Sequence, residues 1–104
     1  MARVIMEQVF EQPKDDEEFG RLSRRLDECL SVRHGAWRRT YLSRDRRRMT
    51  CEFEAPDAES VREALRSAGL PFERVWAAEC FAVEDYPEHL ARLQALVAAR
   101  ADGG

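Results

Sequence analysis

The chain has 104 residues, of which 44% are hydrophobic and 36% are charged, and its formal net charge is −3 at pH 7. This length corresponds to one domain, and the composition excludes a disordered chain. The negative balance argues against a nucleic-acid partner, because such proteins present basic surfaces to phosphates. Arginine is abundant and Lys14 is the single lysine, a bias typical of GC-rich bacterial genomes.

No segment of the sequence predicts a membrane partner or an exported protein. The N-terminal stretch MARVIMEQVF lacks the apolar core and cleavage site of a signal peptide. No run approaches the roughly 20 apolar residues that span a bilayer. The three cysteines, Cys29, Cys51 and Cys80, are odd in number and have no CxxC spacing, so a disulfide framework is not expected. We therefore expect a cytoplasmic protein.

The first predicted elements are a strand over residues 3–10 and a helix after Pro13. Acidic residues follow the proline and favour a helix start, because exposed backbone amides attract negative charge there. Gly35 is predicted to end the helix in the left-handed conformation. The helix is marked by apolar residues at steps of three and four, namely Phe19, Leu22, Leu26, Cys29 and Leu30.

A hairpin is predicted next, from strands at residues 36–43 and 47–55 that flank a polar loop around Asp45. Pro56 ends the second of these strands, since proline cannot donate to a ladder. A second helix follows, with Asp57 as its N-cap and Gly69 as its end. Its apolar stripe consists of Val61, Ala64, Leu65 and Ala68.

The C-terminal part predicts a fourth strand over residues 73–83 and a third helix over residues 85–100. Four apolar residues share one face of that helix: Leu90, Leu93, Leu96 and Val97. The element order predicts an α+β, ferredoxin-like βαββαβ sandwich with one antiparallel four-stranded sheet. We assign residues 1–85 to this domain and residues 86–104 to the extra helix and tail.

In such a fold the helices cover one face of the sheet and leave the other face open. Along the third strand, alternation directs Met49, Cys51, Phe53 and Ala55 to one face and the glutamates between them to the other. Cys51 is then a small core residue, as free cysteines often are. Neither it nor Cys80 has a neighbour in sequence that would lower a thiol pKa, so no catalytic residue is assigned.

The open face is the predicted functional surface. Glu7, Glu52 and Glu54 would lie there, and on the second strand the period of two places Trp37, Arg39 and Tyr41 on one face. One interpretation is a solvated or dimer-buried surface in which arginine offsets the acids; the other is a pocket or metal site. The three residues of the second strand are the candidates for contacting a bound small molecule.

The remaining motifs limit the kinds of metal, anion and cofactor sites that the sequence predicts. His34 and His89 form no HxH, HxxxH or HExxH pattern, and His34 is also explained as a cation at a helix end. Imidazole and carboxylate both bind divalent metals, so His34 joins the glutamates as a candidate ligand. The run RDRRR predicts a solvated turn. No GxSxG, P-loop or GxGxxG motif is present, so no nucleotide cofactor is expected.

The runs WxxTYLSxD, CEFEAP, ESVREALRSAGLP and RV, within residues 37–75, resemble the small bacterial family known as domain of unknown function 4242, which includes nickel-binding proteins. The resemblance implies a ferredoxin-like fold, a homodimer, and nickel or another divalent metal as ligand. It assigns no ligand positions residue by residue. Glu7, His34, Glu52 and Glu54 are therefore candidate ligands by their chemistry alone.

Three functions remain open from the sequence. The first is a small cytoplasmic binding protein for a divalent metal or small ligand, working as a homodimer. The second, supported by analogy of fold alone, is a cofactor-free enzyme in which two sheets enclose a shared cavity. The third is a structural domain that only mediates oligomerisation, with the leucine stripe of the last helix as the feature to examine.

Overall fold

The computed structural model describes residues 1–82, 84 and 87–103, which form four strands and three helices. The elements are β1 (Ala2–Val9), α1 (Asp16–Ser31), β2 (Ala36–Leu42), β3 (Arg48–Ala55), α2 (Ala58–Ala68), β4 (Arg74–Ala78) and α3 (Pro87–Gly103). The strands are antiparallel and lie in the order β2-β3-β1-β4. This arrangement, with an additional C-terminal helix, confirms the predicted ferredoxin-like α+β fold.

The core lies between one face of the sheet and the helices α1 and α2. The predicted alternation of β3 is confirmed, since Met49, Cys51, Phe53 and Ala55 are all buried. None of the helices in the described residues contacts the opposite face, which is therefore open. The other buried apolar residues, from β1, the two helices and the adjoining segments, include Val4, Met6, Leu26, Leu30, Val61, Ala64 and Leu65.

The helix α1 begins as predicted but ends differently. The Asp15 side chain accepts a hydrogen bond from the Glu18 backbone N–H at 2.7 Å, which caps the first turn. At the other end His34, not Gly35, takes the left-handed conformation, with φ at 61°. The space at Gly35 is tight, because a Cβ there would lie 3.1 Å from Leu30 Cδ2. The prediction of a glycine cap at position 35 is wrong.

The arginines of the β2–β3 loop were predicted to be solvated, and two of them also form an ion pair or a hydrogen bond with other parts of the chain. Arg46 pairs with the Asp16 carboxylate, and the Arg47 guanidinium donates to the Glu11 carbonyl oxygen at 3.0 Å. These bonds attach the hairpin tip to the segment that leads into α1. The helix α2 follows its prediction at both ends, with Asp57 as N-cap and Gly69 at a φ of 74°.

The strand β4 is shorter than predicted. It ends at Ala78, whereas the sequence pattern continued to Val83, which lies outside the described residues. In the described part of the chain β4 pairs with β1 alone, and the last pair joins Ala78 to Arg3, one residue after β1 begins. The β1–β4 ladder stops at this pair because β1 has only one residue, Ala2, before Arg3.

The helix α3 stands apart from the rest of the fold. Within the described residues it contacts no other helix or strand, and Leu93, Leu96 and Val97 are 40%, 59% and 70% exposed. The ring of His89 stacks on Phe81 with centroids 4.7 Å apart. The predicted domain boundary after residue 85 lies outside the described residues, and the predicted leucine stripe has no partner within them.

Candidate functional site on the open sheet face

The open face carries a network of ion pairs between β1, β2 and β3. Arg3 pairs with the Glu52 carboxylate and reaches Glu54, with Nη2 3.6 Å from Oε1. Glu54 also pairs with Arg38 at 2.8 Å, and Arg39 Nε lies 3.5 Å from Glu52 Oε2. Both glutamates predicted for this face are therefore present there, and both are engaged by arginines.

The network favours the ionised forms of two of its members, Glu54 and Arg3. The hydrogen bond from Arg38 is the largest cause that lowers the pKa of the Glu54 carboxyl below 4.5. The charge of Glu52 raises the pKa of the Arg3 guanidinium above its ordinary value. These shifts stabilise ionised, paired side chains, which is the opposite of what a general acid requires.

Glu7 is the third predicted carboxylate, and its surroundings differ. It lies opposite Thr50 on β3, and its Oε2 accepts a hydrogen bond from Trp76 Nε1 at 3.0 Å. Together with Thr50, Glu7 lines a cleft of about 280 Å³ whose rim includes Arg48 and Arg74. In the described part of the structure no arginine lies within ion-pair distance of Glu7.

The structure corrects the predicted grouping of Trp37 with Arg39 and Tyr41. The pairing of β2 with β3 shifts by one residue between Trp37 and Arg39, which is a β-bulge at Arg38. Trp37 consequently faces the helices, with its ring centroid 6.1 Å from that of Phe53. Arg39 and Tyr41 stay on the open face, opposite Glu52 and Thr50.

His34 lies in the turn between α1 and β2, is exposed, and is not part of the sheet. Among residues 1–82, 84 and 87–103, no group of three or more histidine, cysteine, aspartate or glutamate side chains is placed to hold a metal ion. The metal role of Glu7, His34, Glu52 and Glu54 therefore stays a prediction. Within one chain these four candidate ligands do not form a single cluster.

The predicted core position of Cys51 is confirmed. Its side chain is fully buried, and Sγ lies 3.1 Å from Thr40 Oγ1. Burial raises the pKa of the Cys51 thiol from 9.0 to about 11. A thiol with this pKa is almost entirely protonated at neutral pH, so it is a poor nucleophile and a poor metal ligand.

A larger groove runs beside the edge strand β2. Its volume is about 520 Å³, and Phe19 and Trp37 form its apolar floor. Asp27 is the one carboxylate in its lining, which contains neither histidine nor cysteine. This donor set does not suit a metal ion, so the open face is the better candidate.

Three contributors to the site were not identified from the sequence. Arg3, Arg38 and Trp76 hold the three carboxylates, and each acts across a strand boundary. Alternation within β1 and β4 does place Arg3 and Trp76 on the open face, but their partners depend on the register between strands. Arg38 reaches Glu54 from the bulge, which the sequence did not reveal.

Comparison with known proteins supports the resemblance. A family described as nickel responsive protein SCO4226-like matches residues 4–77. The chain belongs to this SCO4226-like family. A crystal structure of SCO4226 from Streptomyces coelicolor A3(2) superposes with a TM-score of 0.71 at 12% identity, which covers 78% of this chain and all of that one. At this identity the superposition shows the shared fold. No curated protein sequence matches the chain.

The SCO4226-like assignment confirms the predicted resemblance to a family of nickel-binding-like proteins. Among the described helices, none has the length and apolar character needed to cross a bilayer. The family name points to a response to nickel, and no ligand residue follows from it.

Proposed function

We propose that this chain is a small binding protein for a divalent metal of the nickel class and that it works as a homodimer. The family match over residues 4–77 carries this proposal. We place the protein in the cytoplasm, and the free state of Cys29, Cys51 and Cys80 agrees with that location.

Within the described residues, the donors of a single chain do not complete a nickel site. To reach Glu52 or Glu54, a metal ion would have to displace the guanidinium groups that engage them. Within the described residues Glu7 accepts one side-chain hydrogen bond, from Trp76, and it lines an open cleft, so its carboxylate is the least engaged of the three. Carboxylates bind divalent metals, and we therefore assign Glu7 as a ligand and expect the remaining donors from a second chain.

Calorimetric titration of demetallated protein with nickel, zinc and cobalt tests this proposal. We expect at least one metal to bind more tightly than about 100 μM, which is about −5.5 kcal/mol. Glu7→Gln should weaken binding at least tenfold. Glu17→Gln is the matched control, because Glu17 is exposed on α1 and loses the same charge.

Two outcomes would contradict the proposal at different levels. If no metal binds the wild-type protein in this range, metal binding itself is wrong. If Glu7→Gln binds as tightly as wild type, the metal lies elsewhere. No observation on the open face favours the enzyme alternative, since the resolved shift in carboxyl pKa there, at Glu54, is downward.

A further inference from the structure

The helix α3 is an addition to the family fold. The family match ends at residue 77, before α3 begins at Pro87. The Streptomyces structure is covered completely by 78% of this chain. The family match therefore does not include α3, and the family name does not describe what this helix does.

The chain exposes more surface than a compact monomer of its size. Its accessible surface is 7491 Å², whereas a folded monomer of this mass has about 6,000 Å². Its radius of gyration is 17.2 Å, against about 13 Å for a compact chain of this length. The excess of roughly 1,500 Å² exceeds the approximately 800 Å² that each partner buries in a standard interface.

Both surfaces that lack a partner are apolar in part. On α3 the exposed apolar side chains are Leu93, Leu96 and Val97. Helices in proteins gain most of their stability from packing an apolar face against a partner. On the open sheet face Tyr41 and Trp76 are 64% and 44% exposed. The lengths of the two surfaces also match, because α3 and the longest strands of the sheet are each about 26 Å long.

We propose that α3 of one copy docks on the open sheet face of a second copy, and that the exchange is reciprocal. The stack of Phe81 on His89 holds the start of α3 against the segment after β4. In the part of the chain that the structure describes, α3 contacts no other helix or strand. In this conformation α3 does not cover the open sheet face of its own chain, so we assign that role to α3 of a second copy. A two-fold exchange covers both faces and leaves no surface to extend the assembly further.

This inference rests on the proposed homodimer, and it is tested without metal. Sedimentation velocity of the full chain in chelator, over a concentration series, measures the association. We expect a dimer for wild type. Leu93→Glu with Val97→Glu should raise the dimer dissociation constant at least about 100-fold, because two buried apolar side chains become charged.

The control is Ala95→Glu with Ala99→Glu, which places the same charges on the opposite side of α3 and should leave the dimer unchanged. A mixed sample, in which one population carries labelled methyl groups, should give contacts between Leu93 or Val97 of one chain and the Trp76 ring of the other. A monomeric wild type, an unaffected Leu93/Val97 variant, contacts only within one chain, or contacts only between two α3 helices would each overturn the inference. Metal binding is measured separately, by the calorimetric titration of wild type.

Discussion

Trp76 donates its indole Nε1–H to Oε2 of Glu7 at 3.0 Å, and this bond joins β4 to β1 on the open sheet face. In the register of the two strands Trp76 lies opposite Ile5, so Glu7 is its diagonal neighbour. Diagonal neighbours on one face are within reach of large aromatic side chains. The bond orients the carboxylate that we assign to the metal.

Replacing Trp76 with phenylalanine should affect both stability and metal affinity. It keeps an aromatic ring but removes the donor, which should cost about 0.5–1.5 kcal/mol in the free energy of unfolding. Loss of a group that orients a ligand should weaken nickel binding about tenfold. Urea denaturation and calorimetry measure the two effects. Tyr41→Phe, an exposed change on the same face, should alter neither, and equal effects of the two variants would contradict this role of Trp76.

Alanine substitutions at two glycines should change the free energy of unfolding in opposite directions. Gly69→Ala should destabilise the protein by about 1–2 kcal/mol, because residue 69 has a φ of 74° and a side chain strains that conformation. Gly20→Ala should stabilise it by about 0.5–1 kcal/mol, since Gly20 lies inside α1 and a Cβ there meets nothing within 4 Å. Thermal unfolding of both variants measures this, and the same sign for both would contradict it.

The sequence predicted the elements well wherever the signals are local. Asp57 and Gly69 mark the ends of α2 because capping depends on residues a few positions apart. The alternation of β3 identified Cys51 and Phe53 as core because the period of a strand is two. These features need no knowledge of the rest of the chain.

The prediction failed where the outcome depends on pairing between strands. Trp37 was placed on the wrong face because a bulge at Arg38 interrupts the period of two, and no residue type marks it in the sequence. The end of β4 was missed because it is set by where β1 begins. The bond from Arg3 to Glu52 joins residues 49 positions apart, so it follows from the register and not from either segment alone.

Acid should weaken the fold through Glu54. Its carboxyl pKa is below 4.5 in the folded state, chiefly because of Arg38, so the stabilisation is present above pH 4.5 and is lost as the pH falls through the folded pKa. Denaturant midpoints between pH 3 and pH 6 should therefore fall less steeply with acid in Glu54→Gln than in wild type. Glu17→Gln, which removes an acid outside the network, should keep the wild-type slope. Parallel curves for wild type and Glu54→Gln would contradict the prediction.

Alkali should weaken the fold through Cys51. Burial raises its thiol pKa from 9.0 to about 11, so the folded state favours the protonated thiol. That stabilisation is complete below pH 9 and is lost as the pH rises from 9 to 11. A shift of this size corresponds to about 2–3 kcal/mol.

Comparison with Cys51→Ala isolates the contribution of this thiol from the other groups that titrate in alkali. At neutral pH the variant should be less stable by about 1 kcal/mol, because it loses one buried atom that packs against the core. Since the variant has no thiol to ionise, its stability should exceed that of wild type near pH 11. Denaturant unfolding from pH 7 to pH 11 measures both curves. If they run parallel without crossing, the thiol is not protected in the folded state as the structure indicates.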